Sequence, residues 1–340
     1  MLTFILVLLA GALAGHAAEP YRFLREIPIA GEGGWDYLSV DAENHRLYVS
    51  HGSSVVVIDT VKDEVVGEIA DTPGVHGFVF APELGRGFSS NGRENKAGIV
   101  DLKTLQTLSK VPTGENPDAI LYEPGQREVY TFNGRGQSFT VFEAATGKVV
   151  ATVPVGGKPE FAQADSAAGR VYLNIEDKNE VVAIDTKTHQ IVNHWPITPG
   201  EEATGMAIDL EHHRLIVGCS NEKMIIMDST TGKIVANLDA GKGIDATSFD
   251  PTTQLAFASA GGSGNVTIAH EEAPDKFTVI QTLTTERSAR TMTLDTATHK
   301  IYLASARFEA PPATPPPAGG PRQRPKMIPG TFKVLVYEMK

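Results

Sequence analysis

Seven copies of a two-strand pattern follow one another along the chain. In each copy an apolar strand ends at a small or acidic residue, a short polar turn follows, and a second apolar strand begins, as in S-V-D-A-E-N-H-R-L-Y-V-S. Short apolar runs between turn signals are typical of β-strands. The residues that end the first strand, 40 to 45 positions apart, are Asp41, Ala81, Glu123, Asp165, Asp209, Asp250 and Asp295.

Each repeat also contains a third and a fourth strand. Residues 55–59 and 181–185 are examples of the third, and residues 149–153 are an example of the fourth. Two repeats join these strands through T-G-K, which places glycine where a tight hairpin needs a left-handed residue. Four short antiparallel strands per forty residues are typical of a propeller blade. The pattern therefore predicts an all-β, seven-bladed β-propeller of four-stranded antiparallel blades.

The two ends of the chain complement each other. The last repeat has strands near residues 292, 301–305 and 334–337, but no fourth strand follows. Residues 21–28 precede the first repeat and have the pattern of a strand. We expect this N-terminal strand to complete the last blade and close the ring, which leaves few exposed sheet edges. Residues 19–340 then form one propeller domain.

Charge and cysteine content exclude several classes of protein. The formal net charge is −11, whereas a nucleic-acid binder usually presents a basic surface, so the charge argues against nucleic acid as a partner. The single cysteine, Cys219, excludes an intramolecular disulfide and a multi-cysteine zinc site, and the absence of C-x-x-C-H excludes covalent c-type haem. Because Cys219 ends an apolar strand, we interpret it as a buried structural thiol.

The first eighteen residues have the pattern of a secretory signal peptide. Residues 2–13 are apolar and residues 14–18 are small, although the usual basic start is missing. An uncleaved anchor is the alternative, but the run is too short for a comfortable membrane span. We therefore expect residues 1–18 to be a signal peptide and the mature protein to be periplasmic or secreted, without a stable membrane span, and monomeric.

The sequence motifs of the repeats resemble those of a known family. Forms such as V-Y-L-N, V-V-A-I-D-T and A-T-G-K-V-V-A-T-V-P-V-G-G-K-P are similar to the YVTN-repeat β-propellers, in particular the YncE-like proteins. The resemblance covers nearly the whole mature chain and implies the seven-bladed fold. It implies little about function, because this family shares architecture more firmly than activity.

One polar position recurs directly ahead of the first strands, which line the channel of a propeller. It lies five residues before each strand end, and in chain order it is occupied by Asp36, His76, Asp118, Glu160, Thr204, Asp245 and Arg290. Carboxylates gathered around one axis repel each other when they are desolvated, and a cation, a shared proton or the basic members relieves the repulsion.

A divalent cation is the candidate cofactor at this ring. Oxygen ligands suit calcium or magnesium, and an imidazole ligand admits manganese or zinc. The alternative is that these side chains only cap strand starts around a water-filled channel. The candidate ligands are Asp36, His76, Asp118, Glu160 and Asp245.

A second layer of side chains is expected above the ring. The tripeptide N-G-R occurs at the same repeat position in two adjacent blades, and arginines there can hold an anion through bidentate bonds. The alternative is a simple Asn-Gly turn with a solvated arginine. The residues of this layer are His51, Asn91, Arg93, Asn133, Arg135 and Arg307.

A proline-rich segment interrupts the last blade. Residues 310–329 lie between its second and third strands and contain Arg322, Arg324 and Lys326. Such composition favours a solvated, polyproline-like loop. A lid or a partner-binding arm is the alternative.

Three functions are consistent with these observations. Because standard catalytic motifs are absent, the first is a binding module that holds a small molecule, a metal or a protein partner at the channel mouth. The second is a metal-dependent hydrolase resembling propeller lactonases, in which a channel cation polarises a carbonyl and activates water. The third is a structural scaffold.

Overall fold

The computed structural model of the chain describes residues 20–309 and 326–340, which form seven four-stranded antiparallel sheets arranged as a β-propeller. The predicted fold is therefore confirmed. The predicted signal segment, residues 1–18, and residues 310–325 of the proline-rich segment lie outside the described residues. Over the part that the structure describes, no helix has the length and hydropathy needed to cross a membrane.

The strands follow the repeat, with four consecutive strands in each of blades 1 to 6. The chain begins with β1 (Tyr21–Pro28), which belongs to blade 7. Blades 1 to 3 then consist of β2 (Leu38–Asp41), β3 (Arg46–His51), β4 (Ser54–Asp59), β5 (Glu64–Ile69), β6 (Val75–Ala81), β7 (Arg86–Asn91), β8 (Lys96–Asp101), β9 (Gln106–Pro112), β10 (Pro117–Glu123), β11 (Glu128–Asn133), β12 (Ser138–Glu143) and β13 (Val149–Pro154).

Blades 4 to 6 continue this order, and β26 to β28 belong to blade 7. The strands are β14 (Pro159–Asp165), β15 (Arg170–Ile175), β16 (Glu180–Asp185), β17 (Ile191–Pro196), β18 (Ala203–Asp209), β19 (Arg214–Cys219), β20 (Lys223–Asp228), β21 (Ile234–Asp239), β22 (Ile244–Asp250), β23 (Leu255–Ala260), β24 (Asn265–Ala273), β25 (Lys276–Thr284), β26 (Met292–Asp295), β27 (Lys300–Ser305) and β28 (Lys333–Met339).

Turn chemistry explains why an acidic residue ends the first strand of most blades. Asp41 Oδ1 accepts a hydrogen bond from the backbone N of Asn44 at 3.0 Å, and the other carboxylates at this position make similar bonds. Such bonds hold the chain in the tight turn that leads to the second strand. In blade 2 the residue is Ala81, and a 3-10 helix, Pro82–Leu84, makes the turn instead.

Burial decreases from the middle of each blade to its rim. All six residues of β4 are buried, whereas most of β5 is exposed. The middle strands pack on both faces against neighbouring blades, so they are apolar without strict alternation. Cys219 lies in this core as predicted, and burial raises the pKa of its thiol to about 12, which makes it unreactive.

The N-terminal strand closes the ring. β1 pairs antiparallel with β28, and the seventh sheet has the order β1-β28-β27-β26, as the sequence predicted. Tyr21 is the main anchor of β1, since its buried ring packs edge-on against Phe257 at 5.3 Å. Its hydroxyl donates to the carbonyl of His299 at 2.7 Å, and its backbone N donates to Gln281 Oε1 at 2.9 Å. The first strand is thus attached to blade 6 as well as to blade 7.

Replacing Tyr21 by alanine should weaken this closure. We expect Tyr21→Ala to lower the free energy of unfolding by about 3–5 kcal/mol, because it leaves a cavity where an aromatic ring was buried. Denaturant unfolding followed by tryptophan fluorescence measures the change. Phe23→Ala on the same strand is the control, because Phe23 is 52% exposed and should lose about 1 kcal/mol or less. Equal losses in the two variants would show that Tyr21 is not the anchor.

Candidate functional site

The polar position ahead of the first strands forms the wall of one cavity. This cavity, about 640 Å³ in volume, lies at one end of the channel, and all seven predicted ring residues line it. They converge because each occupies the same register in its blade and each blade turns its first strand to the common axis. The sequence period therefore located the ring.

Tyr37 also lines this cavity, and the sequence analysis missed it. Its side chain is buried and reaches from blade 1 to blade 4, where its hydroxyl lies 3.5 Å from Glu160 Oε2 and its ring 5.1 Å from that of Phe161. Burial and the nearby carboxylates, Glu160 first among them, raise the pKa of Tyr37 well above its ordinary value. The cavity lining therefore includes a neutral phenol that links blades 1 and 4.

Asp36, His76 and Asp118 form a compact cluster in the wall. His76 Nδ1 lies 2.7 Å from Asp36 Oδ2 and 3.3 Å from Asp118 Oδ1, and all three side chains are partly exposed to the cavity. Their ligand atoms lie within 4.8 Å of one another. One imidazole and two carboxylates can hold a divalent cation such as zinc or manganese. The same atoms can also form an imidazolium bridged by two carboxylates.

The electrostatics of the cluster follow from its burial. Burial, and then the Asp36 charge, raise the pKa of Asp118 to about 6. Burial acts to lower the pKa of His76, but the Asp36 hydrogen bond and the Asp118 charge outweigh it and raise the pKa above its ordinary value. In the absence of a metal, protons therefore neutralise part of the cluster.

Arg290 neutralises the adjacent part of the ring. Its Nη1 lies 2.5 Å from Asp245 Oδ2, and its Nη2 lies 3.4 Å from Asp36 Oδ1 and donates to the carbonyl of Trp35 at 2.8 Å. Burial raises the pKa of Asp245 to about 6, and the Arg290 charge opposes the shift. Because its guanidinium is occupied by protein groups, Arg290 orients two carboxylates and is not free to meet an anion.

Lys158 plays the corresponding role on the other side. Its Nζ lies 2.5 Å from Glu160 Oε1 and also contacts Glu176. Burial raises the pKa of Glu160, and the Lys158 ammonium opposes the shift. Lys158 and Glu176 line the cavity but were not predicted. Lys158 stands seven residues before its strand end, the position that Asn116 occupies in blade 3, so a comparison of that position would have found Lys158.

Two arginines stand free at the rim. Arg93 and Arg135 line the cavity as predicted. Neither has a carboxylate within salt-bridge distance among residues 20–309 and 326–340, unlike Arg290. They come from blades 2 and 3, which also supply His76 and Asp118. The wall therefore places unpaired guanidinium groups next to a potential cation cluster.

The four remaining residues of the predicted second layer do not line the cavity. In three of them the side chain at the end of the second strand turns into the blade and not toward the axis, whereas the exposed Arg307 lies two residues beyond that strand. The prediction that these side chains lie at the channel mouth is therefore corrected for His51, Asn91, Asn133 and Arg307.

Each of the four has another environment. The buried His51 ring stacks on Phe332 at 4.4 Å. Asn91 donates to Glu94 Oε1 at 2.9 Å, and Asn133 donates to two hydroxyl groups of its own blade. Arg307 lies beside the proline-rich segment, where its backbone N donates to a threonine hydroxyl at 3.0 Å. They shape loops and do not contribute to the wall of the mouth.

Comparison with known proteins gives no assignment: no protein-family model and no curated protein matches the chain.

The buried carboxylate of Asp118 should cost stability at neutral pH. Its folded-state pKa of about 6 lies above the ordinary 3.8, so the native protein binds the proton more tightly. Stability is then full below about pH 4 and is lost as the pH rises to about 6. We expect Asp118→Asn, in chelating buffer, to raise the free energy of unfolding at pH 7.5 by about 1–3 kcal/mol and to change it little at pH 4.

Denaturant unfolding at the two pH values measures this difference. Glu43→Gln, at an exposed turn residue, is the control and should be neutral at both. A destabilised Asp118→Asn protein at pH 7.5 would show that the carboxylate serves the fold.

Proposed function

We propose that this protein is an exported ligand-binding propeller of the YVTN-repeat type, which holds a small anionic molecule together with a divalent cation at its channel mouth. The sequence motifs of the repeats support the assignment to the YVTN-repeat type. The apolar segment at residues 2–13 supports export to the periplasm or the exterior. The main support for such a ligand is that one cavity contains both a cluster of possible cation ligands and two unpaired arginines. These residues belong to blades 1 to 3.

The cation would bind Asp36, His76 and Asp118. Their ligand atoms already lie close together, and the imidazole favours zinc or manganese over calcium. A cation would also replace the protons that otherwise relieve the repulsion between Asp36 and Asp118. Arg290 supports this assignment because it holds Asp36 from the side, 3.4 Å from Oδ1, and leaves the other oxygen directed to His76.

The anion would lie between the cation and the rim. Arg93 and Arg135 offer planar donor pairs that suit carboxylate or phosphate, and no protein carboxylate in the described part of the chain occupies them. A cavity of about 640 Å³ has the size of a small-molecule site. Tyr37 reaches from blade 1 to Glu160 of blade 4, and a side chain between opposite blades favours a small molecule over a protein segment that threads the channel.

A metal-dependent hydrolase is the second candidate. The observation in its favour is that further carboxylates, Glu160 and Asp245, stand around the cluster and can accept a proton from a cation-bound water. A scaffold function is the third candidate, in which the ion pairs of Arg290 and Lys158 serve the ring alone.

Cation binding at Asp36, His76 and Asp118 can be tested by measuring the metal stoichiometry of the protein. We expect the chelated protein to bind zinc or manganese and His76→Ala to bind about one equivalent less, because a nitrogen ligand is lost. Equilibrium titration with metal analysis counts the equivalents. His194→Ala is the control, since His194 is an exposed histidine on the outermost strand of blade 4 that pairs with Glu180 and does not line the cavity. Unchanged stoichiometry in His76→Ala would refute the cation site.

Anion binding at Arg93 and Arg135 can be tested by measuring ligand affinity. A thermal-shift screen of dicarboxylates and phosphate monoesters on the metal-loaded protein should find a ligand, and Arg93→Gln should weaken it by about 10-fold or more. Arg127→Gln, on an exposed turn at the other end of the blades, should bind as the parent does. Equal affinity in both variants would refute the anion site. Turnover of a lactone or ester that is lost in Asp118→Asn would support the hydrolase instead.

A further inference from the structure

A second imidazole–carboxylate cluster lies at the opposite end of the propeller. Over the described residues, two groups of side chains bring three metal-capable ligand atoms together, and the second consists of Asp209, His212 and Glu271. Asp209 ends β18, whose start carries Thr204 of the mouth ring. The two lie five positions apart along the strand, or roughly 17 Å. The cluster joins the first turn of blade 5 to the third strand of blade 6 and is independent of the proposed function at the mouth.

The geometry brings one nitrogen between two carboxylates. His212 Nδ1 lies 2.7 Å from Asp209 Oδ2 and 3.1 Å from Glu271 Oε1. The side chains of Asp209 and Glu271 are almost completely buried, while that of His212 is 25% exposed. The cluster is therefore closed on the protein side and open to solvent on one side.

Among the described residues, neither carboxylate oxygen of Glu271 accepts a hydrogen bond of good geometry, and the nearby nitrogen is His212 Nδ1, 3.1 Å from Oε1. The whole residue is 1% exposed, so solvent reaches it only slightly. A buried carboxylate without donors is strongly unfavourable unless a proton or a cation satisfies it. This unsatisfied group is directed at the Asp209–His212 pair.

The blade itself does not require an acid at this place. In blades 1 to 6 the residue at this register donates its backbone N–H to the carbonyl of the first turn of its own blade, as Thr60 does to His45 and Glu271 to Gln254. Its side chain differs from blade to blade and is charged in blade 6 alone. The residues at this register are Thr60, Leu102, Ala144, Thr186, Ser229 and Glu271.

The nearest protein cation is already occupied. Arg214 lies 2.8 Å from Asp228 Oδ2 and 2.6 Å from Asp275 Oδ1, and it also donates to the carbonyl of Pro274 at 2.7 Å. It thereby holds the long hairpin of blade 6 against blade 5, beside the cluster. A protonated His212 alone would leave one of the two buried negative charges uncompensated, whereas a divalent cation and a neutral imidazole would balance both.

We propose that Asp209, His212 and Glu271 bind a zinc-class divalent cation that links blades 5 and 6. Carboxylate oxygen and imidazole nitrogen are ordinary zinc ligands, and the exposed side at His212 leaves room for a water as the fourth. The ion satisfies the orphaned oxygens of Glu271 and cross-links the two blades at the end away from the mouth. Because three ligands come from two blades, its binding stabilises the folded ring and not the unfolded chain.

The test uses the full chain with the mouth cluster disabled by His76→Ala. After chelation, this background should bind about one equivalent of zinc and gain thermal stability. Adding Glu271→Gln, which keeps the shape and removes the charge, should weaken zinc binding by about 10-fold or more and abolish the gain. His299→Ala is the matched control. His299 Nδ1 also contacts an aspartate, Asp250 Oδ2 at 2.6 Å, but the described residues bring no third ligand to this pair. Zinc binding should be unchanged in that variant.

The other outcomes decide against the proposal. A background that binds no zinc, or one that binds calcium but not zinc, would overturn it. Equal zinc affinity with and without Glu271→Gln would overturn it as well. If Glu271→Gln does not fold, His212→Ala decides, because that side chain is partly exposed and its loss leaves the core intact. Failure of the mouth site leaves this result unaffected, because the background already lacks His76.

Discussion

Ring closure constrains every other part of this molecule. Seven twisted sheets enclose a common axis only when the last sheet has its fourth strand, and that strand, β1, comes from the opposite end of the chain. Pairing of β1 with β28 satisfies two sheet edges at once, and Tyr21 extends the attachment to blade 6. The position of each first strand around the axis depends on this closure.

Closure of the ring also brings the charged residues of the channel mouth close together. A polar residue at the start of each first strand would be solvated in an isolated blade, but in the ring these residues face one another across a single cavity. The protein accommodates the repulsion with cations placed between carboxylates: Arg290 between Asp245 and Asp36, and Lys158 beside Glu160. The part that these pairs leave incomplete, around His76, is the part in which we propose a ligand.

The two proposed cation sites share a physical origin. Repeats make most positions equivalent, so a side chain that departs from the repeat without serving the blade points to a local requirement. His76 stands among carboxylates in the ring, and Glu271 replaces neutral residues at its register. Both lie where blades meet, since ligands from separate sheets are brought together only at such contacts.

The sequence by itself determined the fold and the ring, because both depend on period. Strand number, the carboxylate-capped turns, the missing strand of the last blade and the identity of the seven ring residues all follow from register along the chain. Only the tertiary structure decided which side chains outside the ring face the cavity. Tyr37 reaches across the axis to Glu160, and His51 turns away to stack on Phe332 from the far end of the chain. Likewise, the Asp209–His212–Glu271 cluster needs two blades in contact. Periodicity gives the register of a residue, but the direction of its side chain depends on the neighbouring blade that packs against it.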